Sequence, residues 1–172
     1  MDISYLDKNS IKIRSKYAGF VVDPSSDGPK ISSDAVILLN RKCDLSKVVD
    51  YRIIINSPGE YEVKGEKVIG ARVNDGLVYS LLFDGLAVTM GRTSDISKIK
   101  DNAYACQMAI LNVDDEFSSS IITNLEPKIV ILYGENKENG VKILGKQNVL
   151  AAKKFTITKD KLPEEMEVVV LG

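Results

Sequence analysis

The chain has 172 residues, of which 44% are hydrophobic and 27% charged, a balance typical of one soluble globular domain spanning residues 1–172. Its formal net charge of −1 excludes the basic surplus of non-specific nucleic-acid binders, so no nucleic acid is expected as a partner. The absence of histidine excludes His-dependent catalytic triads and every zinc site built on imidazole. Two cysteines cannot complete a four-cysteine zinc site, so composition leaves only oxygen-ligated metal ions open.

Three features of the sequence predict a cytoplasmic protein. Residues 1–10 do not combine a basic segment with a following apolar run, as a secretory signal does. No apolar stretch approaches the roughly 18 residues of a membrane-spanning helix, so no membrane partner is expected. Cys43 and Cys106 are too few for a disulfide framework, which is typical of a reducing compartment.

Short apolar or alternating runs dominate the first half of the chain and predict strands connected by hairpins. The turns Asp7–Asn9, Asn74–Gly76 and Asp84–Gly85 contain residues that tolerate a positive φ, as tight hairpins require. The predicted strands of this half are Ile3–Leu6, Ser10–Ser15, Gly19–Asp23, Ala35–Leu39, Arg52–Asn56, Tyr61–Val63, Lys67–Val73, Leu77–Phe83 and Leu86–Met90.

The second half alternates helices with strands. Met108–Val113 and Lys128–Tyr133 are nearly all apolar, which is typical of strands covered on both faces. Two packed sheets with helices outside satisfy both halves and predict an α/β sandwich. The other predicted elements are the strands Phe155–Thr158 and Glu167–Leu171 and the helices Ser94–Lys100, Ser118–Leu125 and Asn139–Leu144.

Several segments resemble the small zinc-dependent hydrolases of the metallo-β-lactamase fold superfamily. Residues 56–65, Asn-Ser-Pro-Gly-Glu-Tyr-Glu-Val-Lys-Gly, are similar almost letter for letter to a hairpin of that subgroup. Val22–Pro24, Glu126–Ile131 and Leu162–Leu171 resemble further segments in the family's order, so the resemblance spans nearly the whole chain. It implies a compact version of the metallo-β-lactamase-like four-layer αββα sandwich.

The first metal-binding motif of these relatives is altered here. They carry His-x-His-x-Asp-His after the strand that corresponds to Ala35–Leu39, where this chain has Asn-Arg-Lys-Cys-Asp-Leu. In the alignment that the resemblance implies, Asn40 and Lys42 replace the first two histidines and Leu45 replaces the third. Asp44 alone is retained.

The later metal motifs are altered as well. The family's metal-bridging aspartate corresponds to Arg92, its final histidine falls near Gly134, and a histidine-bearing loop is shortened to the turn Asn74–Gly76. The resemblance therefore implies a degenerate member that lacks the metal ligands, so we expect no metal and no other cofactor.

A remnant cleft is predicted where the metals would lie, and its residues are Asn40, Arg41, Lys42, Asp44, Arg92 and Gly134. Buried acids without their metals would be costly, so Lys42 and Arg92 are predicted to supply positive charge and pair with Asp44. The alternative is that Arg41, Lys42 and Arg92 hold a small anion such as phosphate or a carboxylate.

The loss of the ligands predicts a non-catalytic domain, a pseudoenzyme that binds a protein partner or a small anion or self-associates as a homo-oligomer. The alternative is a metal-independent or divergent hydrolase that acts through Cys43, Asp44 and Lys42. Cys43 has no histidine to activate it, and a free thiol with a pKa near ~8.5 stays mostly protonated. The acidic run Asp114–Glu116 allows two interpretations, a divalent cation held by oxygen or a helix N-terminal cap.

Overall fold

The computed structural model describes residues 1–39, 43–73, 75–99, 104–115, 117–146 and 149–172, which form two large β-sheets packed face to face. The first sheet has six strands, mostly from the N-terminal third. Their order across the sheet is β15 (Lys154–Thr156), β1 (Asp2–Asp7), β2 (Ser10–Arg14), β3 (Gly19–Val22), β5 (Ala35–Ile37) and β7 (Ile53–Ile55). β1, β2 and β3 run antiparallel, whereas β5 and β7 continue parallel to β3.

The second sheet has eight strands and combines a hairpin half with a parallel half. Across the sheet the order is β14 (Ala151–Ala152), β16 (Glu167–Leu171), β13 (Ile129–Tyr133), β12 (Met108–Asn112), β11 (Leu86–Arg92), β10 (Gly76–Phe83), β9 (Glu66–Val73) and β8 (Gly59–Val63). The four strands β8 to β11 pair antiparallel, and β11, β12, β13 and β16 pair parallel, as separated strands joined by helical connections do.

The main core lies between the two sheets. Alternating side chains of the hairpin strands point into it, so the period-two pattern of the sequence is satisfied by burial of one face. Phe20 and Phe83, from opposite sheets, stack with ring centroids 4.4 Å apart. The buried hydroxyl of Tyr79 donates to the carbonyl oxygens of Leu38 at 3.0 Å and Ile55 at 3.1 Å, which ties the sheets together near the end of β5.

Helices cover the outer face of the eight-stranded sheet, where a second apolar cluster forms. These helices are α1 (Thr93–Ile96), α2 (Ser120–Leu125) and α3 (Lys137–Ile143). Residues Lys159–Lys161 form a separate 3-10 turn. The outer face of the six-stranded sheet is covered differently. Within the described ranges, it packs against loop residues and a small parallel pair, β4 (Ile31–Ser32) with β6 (Val48–Val49).

The predicted α/β sandwich is confirmed, with one helical layer replaced by loop and short strands in the part of the chain that is described. The first helix is shorter than the predicted Ser94–Lys100: it begins at Thr93 and ends at Ile96. The turns at Asp7–Asn9 and Asp84–Gly85 are confirmed, with positive φ at Asp84 and Gly85. No helix among the described residues is long and apolar enough to span a membrane.

The parallel half of the second sheet positions the cleft. β12 and β13 are buried at every residue, as their apolar sequences predict. Their register with β11 places Arg92 beside Asn112, and Asn112 beside Tyr133. Because parallel strands end at the same edge of a sheet, three successive strand ends deliver these side chains to one place.

Candidate functional site

The remnant cleft is a cavity of about 540 Å³ at the carboxyl ends of these strands. One wall consists of Arg92, Asn112 and Asp114 from the eight-stranded sheet and the loops after it. The facing wall comes from the β1–β2 turn and the loop after β3. The remaining lining residues are Asp7, Lys8, Asn9, Asp23, Pro24, Ser25, Asp27, Cys43 and Glu135.

The side chain of Arg92, the last residue of β11, is held by the helix α1 that follows it. Its Nε and Nη2 atoms donate to Oδ2 of Asp95 at 2.9 and 2.8 Å. The Asp95 side chain is only 4% exposed, whereas that of Arg92 is 28% exposed. A Cβ atom on Gly76 would overlap the Asp95 carboxyl group, so the glycine that opens β10 leaves the space in which this carboxylate lies. The Arg92 guanidinium is therefore neutralised from inside the fold.

Asp114 supports the same arrangement from the next strand. It lies 3.8 Å from Nε of Arg92 and accepts hydrogen bonds from Thr93 Oγ1, Ser94 N and Ser94 Oγ. The Ser94 N–H is one of the donors that a helix leaves without an intrahelical partner, so Asp114 caps α1. Asp114 therefore has a capping role, but at the preceding helix α1, and in the described part of the chain the helix α2 that follows the acidic run has no side-chain hydrogen bond at its N-cap residue Ser119.

The predicted pairing of Arg92 with Asp44 is wrong. Asp44 is exposed, and its Oδ1 accepts the backbone N–H of Ser46 at 2.8 Å. These hydrogen bonds from Ser46 hold the pKa of the Asp44 carboxyl below its ordinary value. The Asp44 carboxylate lies two residues before the Ser46 N–H, so it closes that turn at little entropic cost. Arg92 has a nearer partner, because Asp95 is already within its reach.

The other basic residues of the prediction, Arg41 and Lys42, lie outside the described residues, as does Asn40. Cys43, which follows them, is half-buried and lines the remnant cleft. Burial raises the pKa of its thiol, and the negative charge of Asp23 raises it further. The thiol is therefore protonated at neutral pH, which makes it a weak nucleophile.

Gly134 has a backbone conformation that excludes a side chain. Its φ is +105°, and a Cβ atom there would lie 2.8 Å from Asn112 Oδ1 and 2.9 Å from the carbonyl oxygen of Val113. This region is rarely adopted by residues other than glycine. Gly134 is thus part of a tight turn, and Glu135, the next residue, lines the cleft.

Two buried polar residues near the cleft were not singled out from the sequence. Asp23 is 7% exposed, has a φ of +42°, and accepts the Leu39 N–H at 2.8 Å, which joins the ends of β3 and β5. The Tyr133 hydroxyl is buried without a hydrogen-bond partner in the described part of the protein. Burial, and then the charge of Asp23, raise the pKa of this phenol well above its ordinary value. Asp23 follows a strand directly, which is the signal that could have found it.

The donor set does not fit the zinc ions of the fold family. In the described ranges, no group of three or more Cys, Asp or Glu side chains is placed to hold a metal ion, and the chain has no histidine. The two carboxylates beside Arg92, on Asp95 and Asp114, face its guanidinium and hydrogen-bond donors.

Comparison with known proteins identifies the fold through structure. No protein-family model matches the sequence, and no curated protein does either. A Thermotoga maritima protein of the metallo-β-lactamase superfamily superposes with a TM-score of 0.74 at 17% identity, over 99% of this chain and 98% of that one. Zinc-bound PqqB from Methylobacterium extorquens superposes with a TM-score of 0.53 at 11% identity, over 86% of each chain. The chain has the metallo-β-lactamase fold.

Proposed function

We propose that this chain is a non-catalytic metallo-β-lactamase-fold domain that binds a positively charged segment of a partner protein in the remnant cleft. The ion pair between Arg92 and Asp95 carries the non-catalytic part of the proposal, because it occupies a buried carboxylate at the end of β11, where the resemblance places a metal ligand. A carboxylate that is bonded to a guanidinium is not free to bind a metal ion. The chemistry of a metal-bound water is therefore not available there.

The catalytic alternative has little support from the geometry. It needs Cys43, Asp44 or Lys42 as the reacting group, and Lys42 lies outside the described residues. The raised pKa of Cys43 keeps its sulfur protonated, and the Asp44 carboxylate is exposed and engaged by Ser46. Both thiols of the chain are free, which supports our placing the protein in a reducing cytoplasm.

Charge favours a cationic occupant over the anion expected from the sequence. Three carboxylates of the described lining, on Asp7, Asp27 and Glu135, form no ion pair with a described residue. The described lining also carries two cations, Lys8 and Arg92, and Arg92 is already paired with Asp95 and Asp114. A small anion would meet this surplus of carboxylates, whereas lysine or arginine side chains of a partner would be attracted to it.

The protein purified without chelator is expected to contain no stoichiometric zinc, iron or manganese. Its melting temperature should be the same with and without EDTA, because a metal that bound only the folded state would stabilise it. It should also remain inactive toward phosphodiester and β-lactam substrates after zinc or manganese is added. Elemental analysis, melting curves and hydrolysis assays measure these quantities. Bound metal at one equivalent, or a fall of several degrees in EDTA, would contradict the proposed loss of the site.

A short lysine-rich peptide is expected to bind at low salt more tightly than a glutamate-rich peptide of equal length. The double variant Asp27→Asn with Glu135→Gln should weaken binding roughly three- to tenfold, because each exposed charge contributes modestly. Glu164→Gln with Glu165→Gln removes the same charge from exposed positions outside the cleft and is the matched control. Fluorescence anisotropy measures both. Equal weakening by the two double variants would locate binding elsewhere and refute the proposed role of the cleft.

A further inference from the structure

A second cavity, of about 880 Å³, lies at the opposite end of the sandwich and plays no part in the proposed function. We call it the basal cavity. Asp2 lines it, whereas Asp7 lines the remnant cleft, so the length of β1 separates the two by roughly 17 Å. Three hairpin turns surround the basal cavity, at residues 15–17, 64–65 and 84–85, together with the 3-10 turn Lys159–Lys161. Its volume falls within the range of small-molecule sites.

The carboxylates of the basal cavity already have partners. Asp2 pairs with Lys154 at 2.7 Å. Asp84 pairs with the α-ammonium group of Met1 at 2.9 Å and also accepts the N–H of Lys16 at 2.9 Å. The buried Glu66 accepts the Asp84 N–H at 3.2 Å. Of the acids lining this cavity, Asp160 alone is exposed to solvent without a cation bound to it in the described residues, and the Thr158 hydroxyl lowers its pKa.

Unlike these carboxylates, three cations of the basal cavity have no ion-pair partner among the described residues. In the part of the chain that the structure describes, Arg14, Lys16 and Lys159 make no ion pair with any carboxylate. Lys64, the remaining basic side chain of the lining, is neutralised by Asp34 at 2.6 Å. The three unpaired cations come from β2, the β2–β3 turn and the 3-10 turn, so they approach the cavity from different sides. Such an arrangement suits a ligand with several anionic oxygens.

Exposed apolar surface lies beside these cations. The Tyr17 side chain is 60% exposed and Leu82 is 47% exposed, and both line the basal cavity. The Lys16 ammonium group lies 5.1 Å from the centroid of the Tyr17 ring. The Lys16 ammonium group covers one face of the Tyr17 ring, and the other face can stack on the ring of a ligand. Proteins that bind nucleic acids use aromatic side chains in this way, because every base has a flat face on which such a ring can stack.

We propose that the basal cavity binds a small ligand in which phosphate groups are attached to a planar ring, the chemistry of a nucleoside phosphate. Arg14, Lys16 and Lys159 receive the phosphate oxygens, and Tyr17 with Leu82 receives the ring. The site is independent of the remnant cleft, because the two cavities share no lining residue.

The proposal is tested with adenosine triphosphate, inorganic triphosphate and adenosine, each without divalent metal and at low salt, by isothermal titration calorimetry on the whole chain. Adenosine triphosphate should bind more tightly than either fragment. The double variant Arg14→Ala with Lys159→Ala should weaken it at least about tenfold. Tyr17→Ala should weaken the nucleotide several-fold and leave inorganic triphosphate unaffected.

The matched control is Lys142→Ala with Lys146→Ala, which removes two positive charges from exposed positions that do not line the basal cavity. An equal loss of affinity in this control would show that the nucleotide is attracted by overall charge and would overturn the proposal. Absence of binding at millimolar nucleotide would also overturn it. If inorganic triphosphate bound as tightly as the nucleotide and Tyr17→Ala changed neither, the ring site would be refuted.

Discussion

Replacing Arg92 with methionine is expected to lower the free energy of unfolding by about 2–4 kcal/mol, measured by urea denaturation. Methionine keeps an apolar stem of similar length but removes the charge, so the 4%-exposed Asp95 carboxylate is left buried without a cation. The estimate lies toward the lower part of the range for a broken buried pair, because Arg92 itself is 28% exposed and water reaches that side.

The charge pair can be separated from packing by a double-mutant cycle with Asp95→Asn. The asparagine has almost the shape of aspartate and leaves the space at Gly76 undisturbed. The double variant Arg92→Met with Asp95→Asn should be more stable than Arg92→Met alone, since both charges leave together. Asp44→Asn is the control and should leave the melting temperature unchanged, because an exposed asparagine closes the same turn. An Arg92→Met variant as stable as the parent would contradict the role assigned to the pair.

Gly134→Ala is expected to cost about 3 kcal/mol or more in the same measurement. A φ of +105° is strained for alanine by about 1–3 kcal/mol, and the new methyl group would also press on Asn112 Oδ1 and the backbone of Val113. These neighbours belong to the end of a fully buried strand, so they cannot move away cheaply.

Gly145→Ala separates the steric cost from the cost of the dihedral angle. Gly145 has a φ of +66°, but a Cβ atom there meets nothing within 4 Å. Its replacement should cost about 1–2 kcal/mol, the penalty of the left-handed conformation alone. Equal effects at the two positions would mean that residues 112–113 yield to the methyl group and that position 134 tolerates a side chain.

The sequence by itself determined the architecture and the loss of histidine chemistry. Period-two runs joined by turns such as Asp84–Gly85 specify hairpins, because a strand alternates its faces and a tight turn needs positive φ. The uniformly apolar strands around Met108–Val113 and Lys128–Tyr133 specify a parallel half covered on both sides. Because the chain contains no histidine, the sequence alone excludes imidazole ligands.

Only the tertiary structure decided which charges meet. Alignment placed Arg92 and Asp44 in one cleft, but a carboxylate two residues from Ser46 bonds locally, whereas Asp95 lies one helical turn from Arg92. The i, i+3 spacing of Arg92 and Asp95 is visible in the sequence. That spacing matters because the Asp95 carboxylate is buried against Gly76. Gly76 lies nineteen positions before Asp95 in the sequence, and the fold brings the two together. The capping of α1 by Asp114 likewise depends on two strands ending side by side, because long-range pairing of polar groups is set by sheet register.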